Sequence, residues 1–317
     1  MSSNLSEVDF VTVDVFTQTR YEGNPLAIVK IPEGTSLTQD QKQAIAREFN
    51  LSETTFLHEN NGDELSWTVD IFMTNAELPF AGHPTIGTAC HVLSNVAQAR
   101  KLNGKFEAQF QIKAGPVGLQ YDVQKQTARA SIPHDFHIHK RQWKLEELLE
   151  VQPGLARAYE RKEVNLKPEY PIVSVVNGMA FALVEVEDER ALGLVSTSSR
   201  SLSVPGLDEG WDKTFVGSYF FTRSPGGSDG TTRLRTRMIE GTLEDPATGS
   251  AATDLSGYLA MVEGRPGETR RYAITQGVEM GRRSEIGVEV VLNDDRGVRD
   301  VYLEGSVIQV MSGRLTV

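Results

Sequence analysis

The sequence predicts an α+β protein made of two similar halves, each a mixed, barrel-like sheet of strands around one central apolar helix. Two observations carry that reading. Glu244-Asp-Pro-Ala-Thr-Gly-Ser-Ala251 repeats the sense of Gly82-His-Pro-Thr-Ile-Gly-Thr-Ala89, with Pro, Gly, a hydroxyl residue and Ala recurring in the same order. Internal repeats dictate architecture, and a length of 317 residues accommodates two domains of ordinary size. The second observation is that strand-like runs flank each copy, so each half reads strands, helix, strands. A weaker echo, Gly23-Asn-Pro-Leu-Ala-Ile-Val29 in Gly178-Met-Ala-Phe-Ala-Leu-Val184, extends the repeat upstream.

Taken in order, Phe10–Phe16 and Asn24–Lys30 read as strands separated by a Gly-Asn-Pro turn. Thr38-Gln-Asp-Gln41 resembles a capping box and starts a helix that runs to Phe49 and ends at Asn50. Leu51–Leu57 is too rich in β-branched and aromatic residues to continue that helix, and it reads as a strand with Glu53 at its entrance. Trp67–Met73 is a further strand, leading into Glu77–Ala89. There Pro84 suits the first helical position, which places His83 at the cap and leaves the amides of Thr85, Ile86 and Gly87 free for an anion. The apolar stripe Ile86, Ala89/Cys90, Leu93, Val96/Ala97 predicts a helix buried on one face. Phe106–Ala114, Val117–Gln124 and Ala128–Ile132 are strands, and 142–159 reads as helical with a break at Pro153-Gly154.

The second half restarts at Tyr170–Val176. Thr197–Thr232 reads as loop, and its Ser224–Gly230 segment lacks the Lys-Ser/Thr ending of a phosphate-binding loop. In the second motif Asp245 takes the cap and the stripe Ala251/Ala252, Leu255, Tyr258/Leu259, Val262 follows; Tyr272–Gln276, Gly287–Leu292, Val301–Leu303 and Val307–Met311 then close the half as strands. The expected division is 1–135 for the N-terminal half, 136–164 for a bridging helical segment and 165–317 for the C-terminal half, whose last strands can return to the first.

A formal charge of −11 with no long basic run argues against nucleic acid as a partner. No run approaches the roughly 18 apolar residues of a membrane span, and the first residues lack the pattern of a secretory signal, so the expected location is cytoplasmic. The single cysteine, Cys90, rules out an intramolecular disulfide and two-thiol racemase chemistry, and its place on the apolar stripe makes it a core residue.

Two equivalent helix starts, one offering the imidazole of His83 and one the carboxylate of Asp245, form a pair with acid/base capacity if the halves face each other. Glu53, among apolar and hydroxyl residues, is expected to be desolvated and raised in pKa, as a proton carrier requires. Ser52 and Ser250 lack a nucleophile elbow, and with Gly82 and Gly249 they flank the candidate chemistry. His134, His137 and His139 cluster, with the last two on one strand face; that spacing allows metal ligation, but the stretch reads more simply as polar surface, and no metal is expected.

The set Val13-Asp-Val-Phe16, Gly23-Asn-Pro-Leu-Ala27, Ser52-Glu-Thr-Thr-Phe56, Leu78-Pro-Phe-Ala-Gly-His-Pro-Thr85 and Glu244–Ala251 resembles the PhzF-like family of phenazine biosynthesis from about residue 10 onward. The resemblance implies the diaminopimelate-epimerase fold, with the site in the cleft between the halves, a homodimer, and cofactor-free isomerisation of a small carboxylate-bearing substrate. It further implies Glu53 as the catalytic residue with His83 and Asp245 as its companions, and Ser52, Gly82, Gly249 and Ser250 as substrate contacts. Gly281-Arg-Arg-Ser284 departs from the family's Gly-Arg-Pro-Ser at Arg283. Two rival readings stay open: an epimerase or racemase working without cysteine, and a non-catalytic protein that binds small molecules through the same cleft.

Overall fold

The computed structural model describes residues 7–60, 65–200, 204–211, 215–225 and 229–317. Its contacts divide the chain into one unit of residues 1–132 with 303–317 and a second of 133–302.

The first unit begins with β1 (Glu7–Val15) and β2 (Asn24–Ile31), then α1 (Gln39–Phe49), β3 (Thr54–His58), β4 (Ser66–Phe72) and the short β5 (Glu77–Leu78). The long helix α2 (Gly82–Arg100) follows, then β6 (Lys105–Ile112), β7 (Gly115–Asp122) and β8 (Thr127–Ser131). The second unit contains β9 (His137–Lys144), α3 (Leu145–Val151), α4 (Pro153–Glu160), β10 (Glu169–Val176), β11 (Met179–Glu185) and α5 (Glu189–Leu192). It continues through β12 (Phe215–Arg223), β13 (Thr232–Glu240), β14 (Leu243–Asp245), α6 (Gly249–Glu263), β15 (Thr269–Gln276) and β16 (Ser284–Leu292). A final strand, β17 (Val298–Thr316), runs out of the second unit and gives its residues from Leu303 onward to the first.

In the first unit the strands pair β1–β2 antiparallel, β2–β3 parallel, β3–β4 antiparallel, β4–β6 parallel, then β6–β7 and β7–β8 antiparallel. β17 closes the ring by pairing with both β8 and β1, so this barrel has no edge among these strands. The second unit repeats the pattern: β10–β11 antiparallel, β11–β12 parallel, β12–β13 antiparallel, β13–β15 parallel and β15–β16 antiparallel. Here β9 flanks β10, as β17 flanks β1. The two-fold repetition and the mixed barrel around a helix, both expected from the sequence, are therefore present.

The central helices differ from expectation in how completely they are enclosed. Every residue of α2 from Gly82 to Leu93 is buried, so the helix is covered on all sides over its first turns and not along one stripe. Close wrapping demands small residues. A Cβ on Gly87 would lie 2.5 Å from Leu26 Cδ2 and 2.7 Å from Val15 Cγ2, and one on Gly257 of α6 would lie 2.2 Å from the Phe136 ring. Outside the first barrel, α1 covers a cluster of Val8, Val29, Ile31, Phe56 and Phe72, with its Thr38–Gln41 capping box formed and Asn50 left-handed at its end. In the second unit α3 and α4 bury Leu148, Leu155 and Ala158 against Trp143, Tyr170 and Ile172.

Five local expectations need correction. Helix α2 starts at Gly82 with Ala81 as its cap, so His83 and Pro84 sit inside the first turn, and the Thr85 amide donates to the Ala81 carbonyl at 3.3 Å. Helix α6 starts at Gly249 with Thr248 as its cap, which leaves Asp245 at the end of β14. Residues 142–144 extend β9, because Trp143 is drawn into the core beside Tyr170. Part of the loop expected before Thr232 is β12, whose Val216–Thr222 are all buried, whereas 201–203, 212–214 and 226–228 lie outside the described residues. The two closing strands around Gly305 are one, since a glycine there admits the Phe16 ring, 2.4 Å from where a Cβ would stand.

Asp254 of α6 is fully buried with neither carboxyl oxygen hydrogen-bonded, and burial pushes its pKa well up. Its protonated form fits the core and its charged form does not. Stability from this group is complete below its unfolded pKa and is lost as pH rises through the folded value, at up to about 1.4 kcal/mol per pH unit. Asp254→Asn should therefore gain thermal stability over the parent progressively from pH 4 to pH 8. A melting-temperature difference that is flat across that series would contradict this.

Candidate active site

Glu53 stands immediately before β3, and His83 lies in the first turn of α2. Thr55 Oγ1 and Thr88 Oγ1, 2.9 Å apart and both buried, tie that strand to that helix. The tie holds His83 Nδ1 3.0 Å from Glu53 Oε2. His83 is 4% exposed, and its Nε2 is buried without a partner, an arrangement that purely structural histidines avoid.

Burial is the largest influence on the Glu53 carboxyl and acts to raise its pKa, but the hydrogen bond from His83, the charge of His83 and a hydrogen bond from Ser52 together outweigh it. The result lies below the ordinary glutamate value, which corrects the expected rise: at neutral pH Glu53 is a carboxylate, already in the form of a base. Desolvation was legible in the sequence; its partners were not. Ser52, read as a substrate contact, stands one residue away and supports this carboxylate directly. Gly82 and His83 are the first two residues of α2, and helix geometry leaves their amides without intrahelical acceptors.

In the second unit, Gly249 and Ser250 open α6 in the same way. Asp245 Oδ2 accepts from Thr248 Oγ1 at 2.5 Å. Gln276 Nε2 donates to the Asp245 carbonyl at 2.8 Å and to Thr248 Oγ1 at 3.1 Å, and the Thr248 amide lies 3.3 Å from Gln276 Oε1. The Tyr219 hydroxyl lies 2.9 Å from Gln276 Oε1 and 3.0 Å from Thr236 Oγ1, and its own acidity is suppressed by burial. Glu244, the neighbour of Asp245, takes both Nε and Nη2 of the buried Arg237 at 2.8 Å. Gly277 has φ 74°, and a Cβ there would come within 2.6 Å of the Pro246 carbonyl, so Pro246 and the Gln276 turn pack backbone to backbone.

Sequence reasoning missed Thr248, Gln276, Tyr219 and Arg237. Only the Thr inside the repeated motif and the Gln-Gly before the Gly281 loop hinted at any of them. The Arg283 side chain, where the family pattern has Pro, stands exposed and pairs with Glu285 at 2.7 Å.

Cys90 is fully enclosed on α2, and burial pushes its thiol up to about 12, so it cannot serve as a thiolate base.

Comparison with solved structures defines the class first. The chain is similar to a PhzF-family phenazine biosynthesis protein of Bacillus anthracis, with a TM-score of 0.74 at 18% identity over 99% of this chain and 100% of that one. It also matches a hydroxyproline epimerase of Agrobacterium vitis, with a TM-score of 0.56 at 12% identity over 100% of this chain and 94% of that one. These similarities establish the diaminopimelate-epimerase-like α+β fold. Over 314 residues it is 30% identical to an uncharacterized isomerase of Mesorhizobium japonicum, covering 97% of this chain and 98% of the relative. It is likewise 30% identical over 282 residues to the trans-2,3-dihydro-3-hydroxyanthranilate isomerase of Pseudomonas chlororaphis, covering 87% of each. The chain belongs to the phenazine biosynthesis-like PhzC-PhzF family, which it matches over residues 13–313, and it is an isomerase of that family. Among the described residues, no helix is long and apolar enough to cross a membrane.

The electrostatics at Glu53 make a direct prediction. Removing the imidazole with His83→Ala leaves desolvation largely unopposed, so the Glu53 pKa should rise above the ordinary glutamate value, as read by carbon NMR of the side-chain carboxyl. In the second unit, Gln276→Leu should destabilise the fold by about 1–3 kcal/mol for each buried polar group it orphans, measured by denaturant unfolding. A carboxyl that titrates as in the parent, or a Gln276 variant of parental stability, would contradict these accounts.

Proposed function

We propose that the protein is a cofactor-independent isomerase that moves a proton from one carbon to another within a small, carboxylate-bearing cyclic amino or hydroxy acid. The observation that carries this reading is the Glu53 carboxylate, held ionised by His83 and Ser52 beside the start of a buried helix. As a base it takes a proton from carbon, the electron pair passes into the adjacent π-system, and Glu53, now a carboxylic acid, returns the proton to a second carbon. Nothing is oxidised or reduced, so the step balances without a co-reactant. Amides at the α2 start suit an anionic substrate group and the charge that develops on deprotonation. His83 orients the carboxylate and stabilises its charged state.

By the repeat, Asp245, Gly249 and Ser250 are assigned to substrate contact at the second helix start, with Asp245 as a further polar participant in the proton transfer. The carboxylate chemistry is favoured over a two-thiol epimerase mechanism by the single, enclosed Cys90. The isomerase of Pseudomonas chlororaphis acts on trans-2,3-dihydro-3-hydroxyanthranilate, and the 30% identity to it supports trying that compound and its relatives first.

Incubation with a panel of cyclic amino and hydroxy acids in deuterium oxide, followed by mass and NMR, tests the proposal. The expected product carries solvent deuterium at a carbon different from the one deprotonated, and Glu53→Gln should slow its formation at least about 100-fold while the protein still folds. Full-rate deuterium incorporation by Glu53→Gln would overturn the assignment, and inversion at a single carbon would favour an epimerase.

A further inference from the structure

The histidine-rich stretch of β9 was left outside the proposed reaction, and in the fold it is not the surface its composition suggests. His139 is 3% exposed, while His137 on the same strand face is half-buried, with the two ring centroids 4.8 Å apart. The segment 204–211 brings two more groups to them. Asp208 Oδ2 lies 2.8 Å from His137 Nε2, and the Trp211 indole stacks on the His137 ring at 4.7 Å and 12°. His139 Nε2 lies 3.0 Å from Ser174 Oγ on β10, whereas its Nδ1 is buried with no partner. One nitrogen from each imidazole and one carboxylate oxygen all lie within 4.8 Å of one another.

An orphaned imidazole nitrogen in the interior costs free energy that a purely structural histidine would recover with a hydrogen bond. With Ser174 accepting from Nε2–H, Nδ1 carries the free lone pair, and this is the outer-shell arrangement that ligating histidines have.

We propose that His137, His139 and Asp208 form a binding site for one first-row divalent transition-metal ion of the zinc type, which pins the 204–211 segment to β9. Two imidazoles and one carboxylate suit zinc, cobalt and nickel, whereas magnesium and calcium prefer all-oxygen sets. Bonds of about 2.0–2.2 Å to such an ion require the three donors to draw together. The two half-buried members, His137 and Asp208, have the freedom to do so.

The test uses the full chain stripped with a chelator and titrated with cobalt(II), followed by competition with zinc and with millimolar magnesium. One cobalt per chain with visible absorption bands is expected, displaced by one zinc and unaffected by magnesium, together with a higher melting temperature in the metal-loaded protein. His139 variants can fail to fold, so the ligand test rests on His137→Gln and Asp208→Asn. Each should weaken binding by more than about 100-fold, beyond the roughly 10–100-fold that loss of an outer-shell partner causes. Absence of stoichiometric binding, or a smaller loss in either variant, overturns the three-ligand site. Turnover, if the proposed isomerase reaction is found, should survive both substitutions, which keeps this test separate from that of Glu53.

Discussion

The constraint on which the structure depends is the enclosure of a helix start inside a closed sheet. A helix N-terminus carries amides without acceptors, and water normally satisfies them. Here α2 enters the barrel with Gly82, His83 and Pro84 already buried, and α6 begins with Gly249 buried. Pro84 contributes no amide, the Thr85 amide turns back to Ala81, and the Thr85 hydroxyl also donates to that carbonyl at 2.7 Å. What is left over is a small set of directed donors in a site of low polarity, where an anion is bound more strongly than at an exposed helix end. The barrel tolerates this only because its other neighbours are small. Gly87 lies against Leu26 and Val15, and Gly305 against Phe16 and Ile86, so a side chain at either position would push the wall away from the helix.

The same enclosure explains the state of Glu53. Burial without partners would leave it protonated, as it leaves Asp254. The two carboxyls share desolvation and differ in company: His83 and Ser52 stand beside Glu53, and neither oxygen of Asp254 is hydrogen-bonded. A carboxylate kept charged in a desolvated setting needs little solvent stripped from it as a proton arrives, although its lowered pKa makes it a weaker base than a free glutamate. At Glu53 the neighbours His83 and Ser52 hold the charged form ready at neutral pH.

How much of this was legible in the sequence follows from the range of each interaction. The capping box at Thr38–Gln41, the strand preferences of β1–β4 and the repeated Pro-Gly-Ala motif are local, and they read directly. The cap positions did not, because the two motifs enter their helices at different points: Pro84 lies inside α2, and Pro246 precedes α6 by several residues. Sequence similarity suggested equivalent prolines, whereas the enclosed backbone makes Gly82-His83 and Gly249-Ser250 the equivalent pairs. The partners that set chemistry come from far along the chain. Glu53 meets His83 through the Thr55–Thr88 contact, and Asp245 depends on Gln276 and Tyr219; neither spacing leaves a periodic trace.

The repeat also shows how one scaffold diverges without changing its pairing pattern. The first copy places an imidazole and a carboxylate beside its helix start, and the link between strand and helix is a pair of buried threonines. The second copy fixes its Asp through a neutral network of Thr248, Gln276 and Tyr219, and sets the bidentate Arg237–Glu244 pair behind it. Breaking a buried ion pair by removing one partner costs about 3–5 kcal/mol, so Arg237 fixes the backbone of β14 more firmly than the hydroxyl and amide contacts can. The first copy therefore carries a charged, supported carboxylate and the second a largely neutral frame. The single thiol, Cys90, lies in the core, where its hydrogen bond to the Gly305 carbonyl at 3.2 Å joins α2 to the strand that closes the barrel.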